Sequence, residues 1–318
     1  FSMINRREKF SFFYITLALF CLFSGTAFSQ FDSHPEEDWF TIETKHFTVT
    51  YHSGAERTAQ VIAKIAEEVY GPITDLYQFP LKDKVNFVVN DLSDVANGAT
   101  DYFGNRIEIF ASALDFELRG THNWLRNVIT HEFAHMVQLQ ASLKFSKNMP
   151  AIYLQFIDYE NERRPDVLYG YPNAIISYPI SGVGVPAWFA EGTAQYQRQQ
   201  LGYDYWDANR DMILRSYALD NNMLTWNEMG QFSSITSLKA ESIYNSGFAL
   251  TQYIARVYGE DKLKKITKSL GDFTNFSVDK AIREHLGKDG SDLYNEWKAF
   301  LQKDYAERIA DVKNTHMD

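Results

Sequence analysis

The period of the hydrophobic pattern changes along the chain. In "HFTVTYH" (residues 46–52) apolar and polar positions alternate in steps of two, as in a half-buried strand. Over residues 55–77 the apolar positions recur every three or four residues, which predicts an amphipathic helix. "VNFVVN" (85–90) reads as a buried strand and "NRIEIFAS" (105–112) as another. A helix follows around "VITHEFAHMVQLQ" (128–140), with Leu125, Val128, Ile129, Phe133, Met136, Val137 and Leu139 apolar and Thr121 or Asn123 available as its cap. Beyond Pro186 the pattern is almost wholly helical, over 187–200, 207–219, 243–258, 262–269, 278–285 and 291–310. Strands first and helices afterwards predict an α+β protein, a mixed sheet followed by a helical lobe, with the 128–140 helix at the junction.

Between those halves, residues 141–186 hold five of the eight prolines (Pro150, Pro165, Pro172, Pro179 and Pro186) and five tyrosines (Tyr153, Tyr159, Tyr169, Tyr171 and Tyr178). "YGYPNAIISYPISGVGVP" cannot be one regular helix and reads as ordered, proline-braced loop, either a packed insertion or a rim over a cleft. No internal repeat or low-complexity linker divides the chain. The expected organisation is one domain over residues 30–318: a sheet-containing part at about 38–140, the insertion at 141–186 and a helical lobe at 187–318.

The first 29 residues have a different character. "NRREK" (5–9) is a basic stretch, and "FSFFYITLALFCLFSGTAFS" (10–29) is an apolar run ending in small residues. Ala27 and Ser29 suit signal-peptide cleavage after Ser29, so export to the periplasm, the cell surface or the medium is expected, with no stable membrane insertion afterwards. The run is also long enough to serve as an uncleaved anchor. The single cysteine, Cys21, lies inside it behind a bulky Phe20, which does not suit lipidation. The mature chain then has no thiol, and any metal site must be built from His, Asp and Glu. A net charge of −10 argues against nucleic acid as a partner.

Those limits sharpen the reading of HEFAH. On a helix, His131 and His135 share one face a turn apart, so both imidazoles can reach one ion. Glu132 stands beside that ion, where a carboxylate can hold and deprotonate a water. A third ligand is offered by "VPAWFAEGTAQYQRQ" (185–199), in which Glu191 stands among Trp188, Phe189 and Ala190, where an unpaired charge is costly to bury. Gly192 and Ala194 let that helix approach another backbone.

The two stretches together resemble the gluzincin metallopeptidases, in particular the peptidase MA-like domains. These pair an HExxH helix with one reading roughly P-x-W-x-x-E-G-x-A-x-Y, matched here by Pro186, Trp188, Glu191, Gly192, Ala194 and Tyr196. The resemblance implies a zincin-like fold and a zinc ion on His131, His135 and Glu191. It also implies hydrolysis of peptide or protein substrates, with Glu132 as general base. "VNDLSDVANGATDYFGNRIEIF" (89–110) is similar to the family's loop and edge strand, along which substrates add as a further strand. "YNSGFALTQYIARVYG" (244–259) is similar to its Tyr-x-x-Gly helix, which makes Tyr244 the expected donor to the oxyanion.

Two departures qualify that picture. No Gly-x-Met-Glu-Asn stretch stands where related aminopeptidases grip a free amine; the matching region reads "GNRIEIF", and Glu108 reads as an ordinary strand carboxylate, which favours an endopeptidase. The 55 residues between His135 and Glu191 exceed the spacing of the compact members. Gln138 and Gln195, each about a turn beyond a ligand, are candidates to support the ligands from behind. The alternative from another class is a non-catalytic scaffold that keeps the fold and cuts nothing.

Overall fold

The computed structural model describes His34, residues 36–112, 123–145, 183–232 and 236–310, and the backbone of 151–156 and 174–179. The apolar amino-terminal stretch with Cys21, the alternative cap Thr121 and residues 157–173 of the insertion lie outside the described residues. Among the described residues no helix is long and apolar enough to cross a membrane.

The architecture is α+β. A five-stranded sheet has the order β1-β2-β3-β5-β4, from β1 (Trp39–Glu43), β2 (Phe47–His52), β3 (Val85–Asn90), β4 (Gly98–Asp101) and β5 (Arg106–Phe110). The outer pairs are antiparallel and the inner pairs β2/β3 and β3/β5 parallel, so the sheet is mixed. Alternation assigns Phe47, Val49, Val85, Phe87, Val89, Ile107 and Ile109 to one face, where they form a core with the helices α1 (Glu56–Tyr77) and α2 (Trp124–Ala141).

The HEFAH stretch lies in α2, which Asn123 caps through its side chain. This helix is buried nearly all round, because the sheet covers one side and a helix of the carboxy-terminal lobe the other. Hydrogen bonds at three points along α2 tie it to the sheet and its β4–β5 turn. Trp124 Nε1 donates to Phe110 O at 3.0 Å near its start, Thr100 Oγ1 reaches Glu132 at mid-length, and Gln140 Nε2 donates to Tyr102 O at 2.8 Å near its end.

The helical lobe comprises α3 (Ala187–Gln200), α4 (Ala208–Leu219), the single turn α5 (Trp226–Met229), α6 (Ser237–Tyr258), α7 (Asp261–Leu270), α8 (Val278–Leu286) and α9 (Gly290–Arg308). Trp188, Phe189, Phe248 and Trp297 anchor its own core. Helix α3 belongs to both cores, with Trp188 and Phe189 in the second and Ala194 in the first.

The close approach expected at Gly192 is to α6. A Cβ on Gly192 would stand 2.3 Å from Gly247 O, and one on Gly247 would stand 2.4 Å from Trp188 O. The two helices therefore touch backbone to backbone, which only glycine at both sites permits.

Three expectations change. First, the insertion is not all loop: β6 (Ala151–Phe156) and β7 (Ala174–Pro179) form a two-stranded antiparallel ladder. Ile, Tyr, Leu and Phe dominate those stretches, and the one proline within them, Pro179, sits at the ladder's end, where its missing N–H costs little. Second, "GNRIEIF" is not the edge strand: β5 lies between β3 and β4, and the edge is β4. Third, α6 starts at Ser237 and not at Ile243, because Thr236 caps an exposed first turn whose one large apolar residue, Leu238, is not buried.

Candidate metal centre

Helices α2 and α3 meet where their potential ligands lie. His131 and His135 project from α2 one turn apart, and Glu191 projects from the second turn of α3. Their atoms converge: His131 Nε2 is 2.9 Å from Glu191 Oε2, the two Nε2 atoms are 3.0 Å apart, and His135 Nε2 is 3.4 Å from Glu191 Oε2. Ligands at ordinary zinc distances around a tetrahedron stand about 3.3 Å apart, so the donor set fits one such ion with little adjustment. All three residues are buried, and together they form a cluster able to hold a metal ion.

Arg198 helps to hold the two helices in this relation. Its Nε donates to Asn127 Oδ1 at 3.2 Å, linking α3 to the turn of α2 before His131. Its Nη2 pairs with Asp204 at 2.7 Å, and Asp204 also takes Arg210 at 2.7 Å. The two guanidiniums outweigh the burial cost and hold the Asp204 carboxyl below its usual range.

The electrostatics of the metal-free cluster follow from burial and proximity. Burial alone would raise the Glu191 carboxyl, yet His135 and the hydrogen bonds from both imidazoles hold it far below the usual carboxylate range. Burial and the neighbouring His135 lower His131. His135 also suffers burial, but the Glu191 charge prevails and raises it to about 8. Glu191 lies nearer His131 than His135, so the distances and the charge balance favour different imidazoles; one proton shared by the cluster satisfies both.

That proton has a measurable consequence. A metal ion needs neutral imidazoles, so binding of a divalent ion near pH 7 should displace about one proton from the cluster. Calorimetry in buffers of different ionisation heat measures this; zero release near neutral pH would contradict the assigned protonation. In the metal-free protein the raised imidazole stabilises the fold fully below its unperturbed value of 6.5, and this contribution fades as pH rises through about 8.

Glu132 is buried beside the ligands, and its carboxylate turns to the edge strand, where Thr100 Oγ1 lies 2.8 Å from Oε2. The Tyr244 ring, on α6, stands alongside His131 with centroids 6.2 Å apart and the planes inclined by 28°; Phe232 flanks it at 5.8 Å. The structure thus brings His131, Glu132, His135, Glu191 and Tyr244 together.

It does not join Gln138 and Gln195 to the ligands. Both amide atoms of Gln138, Gln195 Oε1 and the Nδ1 atoms of both histidines are buried without hydrogen-bond partners, so neither glutamine bonds a ligand imidazole. Glu108 is also apart from the centre. Its neighbours Ile107 and Ile109 face the core with α2, so Glu108 lies on the other face of the sheet, where burial raises its carboxyl.

Sequence reasoning missed Gly98 and Thr100. "GATD" is too short and too irregular in polarity to announce a strand, so neither residue carried a signal of its own. No family model matches the chain, and no curated protein matches it.

Proposed function

We propose that the chain is a zinc metallopeptidase of the gluzincin type, with a zincin-like fold, that cuts within peptide or protein substrates after export from the cytoplasm. The observation that carries this reading is the convergence of His131, His135 and Glu191 from two helices, with Glu132 one residue past a ligand. Those three residues would hold the ion. Zinc there supplies Lewis acidity, which lowers the pKa of a water toward neutrality and polarises a carbonyl.

The remaining roles fall to the chain itself. Glu132 takes the proton of the attacking water and passes it to the leaving amine. Tyr244, beside His131, donates a hydrogen bond to the developing oxyanion. The outer edge of β4 accepts the main chain of an extended substrate by strand addition. Glu108, turned away from the centre, is no anchor for a free amine, which favours internal cleavage over aminopeptidase action.

The direct test is zinc content together with digestion of an unfolded protein such as reduced, alkylated casein. About one zinc per chain is expected. Cleavage should stop with a chelator and return with zinc. Stoichiometric zinc with no cleavage at any pH would replace this reading with that of a non-catalytic scaffold.

A further inference from the structure

The four residues of β4 do more at the centre than offer an edge. Residues facing α2 from this strand are Gly98 and Thr100, paired with the core residues Ile109 and Ile107 of β5. At Gly98 the strand comes so close to the helix that a Cβ would stand 2.5 Å from Val128 Cγ2, 2.7 Å from Glu132 Cγ and 2.8 Å from Glu132 Oε1. The missing side chain leaves room for the Glu132 carboxylate. Two residues on, Thr100 Oγ1 lies 2.8 Å from Glu132 Oε2 and 2.9 Å from Glu132 O.

A threonine hydroxyl has one proton to donate. The Glu132 carbonyl lies inside α2, where the helix's own N–H groups satisfy it. An ionised carboxylate oxygen is the stronger acceptor, so the proton goes to Oε2. That bond fixes the carboxylate by one oxygen and leaves Oε1 to accept a proton.

The strand register adds a second role to the same residue. Phe110 N donates to Asn97 O at 3.0 Å, so that pair is hydrogen-bonded. By the alternation of an antiparallel ladder, Ala99 and Asp101 then turn their main-chain groups toward β5, while Gly98 and Thr100 turn theirs to the outer edge.

We propose that Thr100 is the positioning residue for Glu132: its hydroxyl sets the carboxylate while its main chain lines the edge along which a peptide adds. The same residue then ties the register of the substrate to the orientation of the base. This inference rests on the peptidase reading above. A threonine that merely satisfies its hydroxyl on a neighbouring helix would affect stability but not turnover.

The test compares Thr100→Val, which keeps the shape, and Thr100→Ser, which keeps the hydroxyl, in the full chain loaded with zinc. Both should hold as much zinc as the parent. In Thr100→Val, kcat should fall by about tenfold or more with KM changed by less than about threefold, the signature of a misaligned base. Thr100→Ser should restore kcat to within about threefold of the parent. Because Thr100 acts through Glu132, adding Thr100→Val to Glu132→Gln should cost nothing more.

An unchanged kcat in Thr100→Val, an equal loss in Thr100→Ser, or a loss that persists in the Glu132→Gln background would each overturn the proposal. If Thr100→Val does not fold, Thr100→Ala takes its place with the same expectations. Crystal structures of parent and variant give a readout free of turnover: the Thr100–Glu132 contact should be present in the parent, and the carboxylate should move in the variant. If the parent cuts nothing, the peptidase reading fails and these structures still decide about Thr100; a carboxylate that stays in place overturns it.

Discussion

On the peptidase reading, Glu132→Gln should keep its zinc and lose about a hundredfold or more of peptide hydrolysis. The carboxylate is buried, follows a ligand by one residue and takes the Thr100 hydroxyl of β4 on one oxygen, outside the cluster of His131, His135 and Glu191. An amide of the same shape still takes the Thr100 hydrogen bond, so the local packing survives the change. What it cannot do is accept a proton at neutral pH. The loss therefore falls on kcat, with KM near that of the parent. Zinc content and digestion of an unfolded protein, measured on variant and parent together, check it. A variant that keeps zinc and cuts as fast as the parent would end the general-base assignment.

Removing a ligand leaves the opposite signature, because the ion goes first. His131→Ala leaves one imidazole and one carboxylate, and two ligands seldom retain a structural or catalytic zinc, so the purified variant should contain almost none. Glu191→Gln is the finer probe. It keeps the volume of a side chain buried against both imidazoles but removes the charge that raises His135 and balances the ion. Zinc affinity should fall about tenfold or more, and the proton release near neutral pH should shrink with it, since its cause is the Glu191 charge. Competition with a chromophoric chelator measures the affinity. Stoichiometric zinc in His131→Ala, or unchanged affinity in Glu191→Gln, would show that other residues hold the metal.

The sequence by itself determined the elements that carry the candidate ligands. Two histidines four residues apart on a helix must share a face, and a glutamate amid Trp188, Phe189 and Ala190 must meet a cation or donors once buried. The glycine of that helix signalled the close crossing that Gly247 completes. Local periodicity likewise gave β3 and α3 their bounds and placed β2, β5, α1, α4, α7, α8 and α9 within a residue or two, while β1, β4 and the turn α5 went unread. These features are local in origin, since side-chain spacing and backbone sterics act within a few residues.

Tertiary structure alone decided the rest. The order of the sheet, with "RIEIF" inside and "GATD" at its edge, depends on pairings between strands far apart in sequence, which no local pattern encodes. The exposed first turn of α6 is helical because Thr236 caps it and the helix behind it packs on α3. Thr100 looks in sequence like any strand threonine; its contact with Glu132 spans 32 residues and exists only because Gly98 lets the strand close on α2. The meeting of Glu191 with the two histidines was expected from its burial and from family resemblance. Its distances, its protonation and the clamp through Arg198 come from packing two helices against each other, a long-range arrangement that residue spacing cannot fix.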